Sequence, residues 1–160
     1  MTQRTTPASM LCALLILVIP AFAGEKHLLL GTWDVDVSKL DTPNPPASVT
    51  MLFAEAGGGS YVLSFDIVTR EGKNIHAGGS ILKPDGSLIP VPNSPEVDLV
   101  TFTMPNQRTL VMGAALGGQP SHTRVWSLSD DGKSMTETIV GHIDGKTPHI
   151  RTATWTRRRN

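Results

Sequence analysis

A single cysteine, Cys12, occurs in the 160 residues, so one chain forms no internal disulfide and builds no thiolate metal cluster. No sign of charge is in excess. The 14 basic residues balance 14 acidic ones, and nucleic acid is therefore not expected as a partner, because phosphate binding draws on a basic surplus. Aromatic residues make up 5% of the chain, too few for a base-stacking platform. Long apolar runs are missing too: Leu11 to Ile19 is about half the ~20 residues that a bilayer span needs. No G-x-S-x-G elbow, phosphate-binding loop or dinucleotide fingerprint occurs, and no ten-residue window outside the N-terminal segment has helical periodicity.

What is present begins with a leader. Arg4 supplies a positive start, Leu11 to Ile19 an apolar run, Pro20 a break, and Ala21-Phe22-Ala23 a small-residue cleavage pattern before Gly24. That is the form of a secretory signal peptide. The expectation is a signal over 1–23, a single domain over 24–160, and a periplasmic or secreted protein with no transmembrane anchor after cleavage. Removing 23 residues from 160 leaves 137 and takes Cys12 with the leader.

The remainder alternates with period two between clusters of turn residues. Trp33, Val35 and Val37 alternate with Asp34 and Asp36, and a proline-rich loop, Pro43-Asn-Pro-Pro46, follows. Val49 to Ala56, Ser60 to Arg70, Ile75 to Lys83, Val97 to Met104, Arg108 to Ala115, Ser121 to Ser129, Ser134 to Gly141 and His149 to Arg157 read as strands. Three prolines restrict Ser87 to Pro95 to an edge strand or an irregular loop. Many short strands with hairpin-length connections imply an all-β fold, a single antiparallel up-and-down barrel of about 8–10 strands.

Three ordered motifs carry a resemblance: Gly31-Thr-Trp-Asp-Val-Asp-Val-Ser-Lys39, Pro43-Asn-Pro-Pro46 and Asp131-Gly-Lys-Ser-Met-Thr136. The first resembles the G-x-W opening of the calycin barrels, the lipocalins and fatty-acid-binding proteins. The set as a whole resembles small secreted bacterial lipocalin-like proteins of unassigned function. The resemblance implies a barrel with an internal cavity and a structural signature of Gly31 and Trp33, with a late-strand basic residue, Arg151, closing the base.

Turn lengths give a register. A four-residue turn at 130–133 pairs Trp126 with Glu137. A further four-residue turn at 144–147 would place Thr154 opposite Glu137 and His149 opposite His142. The expected interior then holds Arg124, Trp126, Leu128, Met135, Glu137, Ile139, Ile150, Thr152 and Thr154. A charge among apolar neighbours must be paired or must meet a ligand. Arg124 is either the anchor for an anionic head group or the partner of Glu137, with Trp126 and Ile139 lining an apolar site. An arginine stacked on Trp33 at the barrel base is another structural reading. The two histidines make only half a zinc site. No metal, cofactor or catalytic residue is expected, and Arg157-Arg158-Arg159 reads as a frayed basic end.

The expected function is the binding of a small, mostly apolar, anionic or neutral ligand, not enzymatic catalysis. The alternative is a solid barrel that binds a protein partner in the cell envelope. Cavity volume separates the two.

Overall fold

A computed structural model describes residues 27–92, 94–143 and 147–159; the leader expected at 1–23 lies outside them. Alternating side chains and short polar turns produce ten strands: β1 (Gly31–Val35), β2 (Ser48–Gly57), β3 (Ser60–Val68), β4 (Asn74–Leu82), β5 (Ile89–Pro90), β6 (Leu99–Asn106), β7 (Thr109–Leu116), β8 (Gln119–Leu128), β9 (Ser134–Ile143) and β10 (Thr147–Arg157). Successive strands pair antiparallel except β4 with β5, and β1 pairs with β10. The result is a calycin-like up-and-down barrel, closed at β1–β10 and left unpaired between β4 and β5. Prolines reduce the segment around 87–95 to the two-residue edge strand β5.

One half of the barrel is solid. Trp33, Phe53, Leu110, Met135 and Leu29 are buried there, with Leu63, Leu82, Leu128 and Trp155 around them. Residues 27–30 cross the base, and Trp33 donates its indole N–H to the Leu29 carbonyl at 2.9 Å.

Arg157 closes this end, not Arg151. It is the cross-strand partner of Trp33, and its guanidinium carbon sits 4.1 Å from the indole centroid. The same guanidinium donates to the carbonyls of Leu30 and Leu28, each at 2.6 Å, and of Gly132 at 2.9 Å. Gly31 makes room for it: a Cβ there would stand 2.7 Å from Nη1 of Arg157, and the backbone φ of +144° disfavours any side chain. Arg157 is therefore held in place and not frayed. Arg158 continues the pattern on the outer surface, where it binds the Asp34 carboxylate and, at 3.0 Å, the Thr50 hydroxyl. That arginine holds the Asp34 carboxyl below its ordinary range.

The β8–β9 register is as expected, with Trp126 opposite Glu137. The β9–β10 register is displaced by one residue. Ile143 pairs with Thr147, so three residues (144–146) rather than four connect the strands, and Ala153 lies opposite Glu137. A one-residue slip exchanges the two faces of a strand. Arg151, Ala153 and Trp155 consequently belong to the interior face of β10, while Ile150 is 66% exposed and Thr152 and Thr154 are exposed on the other side. His149 pairs with Gly141, and His142 with Pro148, so the two histidines occupy opposite faces.

Removing the base clamp tests its weight. Arg157→Ala is expected to lower the free energy of unfolding by about 2–4 kcal/mol, the sum of a cation–π contact and charge-assisted hydrogen bonds. Arg157→Lys should restore less than half of it, since a lysine lacks the planar fork that reaches several carbonyls. Denaturant midpoints measure both; wild-type stability in Arg157→Ala would assign closure to the β1–β10 ladder alone.

Candidate functional site in the barrel cavity

Above the solid base the interior is hollow. A cavity of about 820 Å³ extends from Leu63, Phe102 and Trp126 to the loop residues Leu40, Asn44, Pro92 and Pro95. Its walls come from nearly every strand because period-two alternation sends one residue in two inward. Phe65 lies between Trp126 and Trp155, with centroid separations of 6.5 and 6.2 Å. Apolar side chains dominate the surface, and β4 and β5 border it at the open seam through Ile75, Ala77 and Ile89.

A short chain of polar groups crosses this apolar wall. Glu137 is 3% exposed. Its Oε2 accepts the Trp155 indole N–H at 3.0 Å, and its Oε1 accepts from Arg124 Nη1 at 3.2 Å. The indole takes the place that the expected register gave to the Thr154 hydroxyl. Arg124, with a side chain 28% exposed, donates through Nε to His122 Nε2 at 3.3 Å. The pairing answers the desolvation cost of placing a carboxylate inside the barrel. Arg151 also lines the cavity but is exposed, and among the described residues no carboxylate lies within ion-pair distance of it. The cavity lining thus holds two guanidinium groups, Arg124 and Arg151, and three carboxylates, Asp41, Glu96 and Glu137.

All four residues expected at the ligand site, Arg124, Trp126, Glu137 and Ile139, line the cavity. The structure joins them to His122, Trp155 and Arg151. Trp155 and Arg151 were hidden by the register slip, which alternation alone would have corrected: Ala153 and Trp155 make a better buried pair than two threonines. Trp126 carries a buried indole N–H with no partner among the described residues. Ser121 meets His122 at 3.1 Å, and among the described residues no carboxylate is hydrogen-bonded to that ring. Among the described residues, no group of three His, Cys, Asp or Glu side chains is arranged around one metal position.

Among solved structures, the chain is similar to a single-site mutant of the fluorescent protein UnaG (TM-score 0.56, 12% identity, covering 83% of this chain and 98% of that one). It is similar to wild-type UnaG at TM-score 0.52 and 13% identity, over 81% and 97% of the two chains. A third likeness is to Rv2717c from M. tuberculosis, with TM-score 0.51 and 16% identity over 82% and 94%. At these identities the likeness is one of fold. No protein-family model matches the sequence, and a search of curated proteins gives no match.

The Arg124–Glu137 pair sets a clear expectation. Arg124→Met leaves a buried carboxylate without its cation and should cost about 3–5 kcal/mol, as should Glu137→Leu for the opposite reason. The double variant is expected to recover at least ~2 kcal/mol of the summed loss, since the two sites share one interaction. A denaturation double-mutant cycle measures the coupling; additivity would mean that the two charges act independently.

Proposed function

We propose that this protein is an exported binding protein that encloses a small, mostly apolar molecule bearing one negative charge. The observation that carries the reading is the hollow half-barrel of about 820 Å³, which falls within the range of small-molecule sites. Transfer of an apolar tail into such an interior contributes roughly 0.8 kcal/mol per CH₂. Arg151, which lines the cavity with no carboxylate in ion-pair distance among the described residues, supports a preference for an anion. Export follows from the signal-like leader at 1–23. Binding, rather than catalysis, suits a cavity in which Trp155, Glu137, Arg124 and His122 are already hydrogen-bonded to one another.

Two naphthalene dyes of similar shape test the reading: anionic 1-anilinonaphthalene-8-sulfonate and uncharged N-phenyl-1-naphthylamine. Both should bind with fluorescence enhancement. Ile139→Trp, which fills the cavity, should weaken both by about tenfold or more. Arg151→Gln spares the buried ion pair and should weaken the sulfonate about fivefold, from a charge contribution near ~1 kcal/mol, while leaving the neutral dye unchanged. Undiminished binding in Ile139→Trp would move the dyes, and the function, out of the barrel.

A further inference from the structure

His122 owes its position to an irregularity in the sheet. Along β7 and β8, Ala114 pairs with His122 while Ala115 pairs with Pro120, so Ser121 is an extra residue on β8. Such a bulge turns adjacent side chains toward one another, and here Ser121 Oγ comes within 3.1 Å of His122 Nδ1. The neighbouring strand accommodates this at Gly141, the partner of His122. A Cβ on Gly141 would approach His122 Cβ to 2.9 Å and the Ser121 carbonyl to 3.2 Å.

The hydrogen bonds fix the protonation state of the ring. Arginine Nε only donates, so His122 Nε2, 3.3 Å away, is the acceptor. The ring proton is therefore on Nδ1 and is donated to Ser121 Oγ, whose own hydroxyl points to the Glu96 carbonyl at 3.4 Å. A proton added at Nε2 would confront the Arg124 N–H and create two adjacent cations.

The charged groups facing His122 come from three places. Arg124 lies on β8 itself, Arg151 comes from β10, and Glu96 from the segment before β6. Gly141 on β9 and Ala114 on β7 bring no charge. Burial first, then Arg124, lower the pKa of His122 from 6.5; Glu96 opposes them, and Arg151 adds a smaller lowering effect. Burial and the two guanidinium groups thus disfavour a protonated ring.

We propose that His122 positions the Arg124 guanidinium until an anionic head group binds at Arg124 and Arg151, and that this capture draws the Arg124 N–H away from Nε2 and is coupled to uptake of one proton from solvent at that nitrogen. This rests on the reading of the cavity as an anion-binding site. An anion among these groups adds to Glu96 a counter-charge that favours the protonated ring. Because linkage is reciprocal, a lower pH must then tighten the anion. The sign is fixed: the ring's pKa rises on binding, so the gain is complete below the free-state value, itself under 6.5, and vanishes as pH rises through the bound-state value.

The test titrates the same two dyes from pH 8 to pH 5, where the sulfonate stays ionised and the naphthylamine uncharged. The sulfonate should tighten by about tenfold, one pKa unit of coupling, with the naphthylamine flat. His122→Gln should abolish the slope, and His149→Gln should keep it. In histidine proton spectra, the His122 midpoint should move upward when the protein is saturated with the sulfonate. A flat or opposite sulfonate profile in a protein that binds both dyes overturns the coupling and leaves the ligand reading standing. A slope that survives in His122→Gln overturns the assignment to this ring. Failure of both dyes to bind at every pH removes the ligand reading and the coupling together.

Discussion

Closure of the barrel depends on Arg157 lying across Trp33. The first and last strands have few residues in register, from Trp33–Arg157 to Val35–Trp155, so their ladder alone is short. The guanidinium adds what the ladder lacks. It covers the indole face and gathers carbonyls from the entering chain at Leu28 and Leu30 and from the β8–β9 turn at Gly132. Residues separated by most of the chain are joined in one contact, whose loop-closure entropy is large. Without it, the sheet would expose two further edges, with the hazard of pairing that open edges carry.

The same clamp explains why the interior is divided. Trp33, Leu29 and their neighbours fill the base to close packing, so the upper half is relieved of supplying most of the core. Polar groups in that half are held by one another: indole to carboxylate, carboxylate to guanidinium, guanidinium to imidazole. Each link satisfies the next, which is the condition for burying such groups at all. The unpaired seam limits itself differently. β5 has only two residues, one of them Pro90, and the β3–β4 register shifts between Val62 and Ser64, so neither edge offers a long regular ladder to another chain.

Period-two alternation made the strands legible, and turn chemistry made the hairpins legible. It even gave the register that joins Trp126 to Glu137, because Asp130 to Lys133 is an unambiguous four-residue turn. The next turn was misread by one residue. Asp-Gly-Lys between strands suits a three-residue hairpin with glycine in the loop, and the slip inverted every assignment on β10. Arg157 was illegible for another reason. A basic triplet at a chain end looks solvated, and only the closing of β10 against β1 brings it over an indole 124 positions away. The bulge at Ser121 left no mark in the sequence except Gly141 across the strand, a glycine without a turn to explain it.

Stability does not account for the buried ion pair. An apolar pair of similar size at 124 and 137 would recover part of what either single substitution loses, since desolvation offsets most of the attraction between buried charges. Nor does closure require it, because that role belongs to Arg157 at the opposite end. What the pair does is present an oriented guanidinium, fixed on one side by Glu137 and on the other by His122, to an otherwise apolar cavity. The proposed recognition of a charged end on an apolar molecule would use both the cation and the groups that orient it.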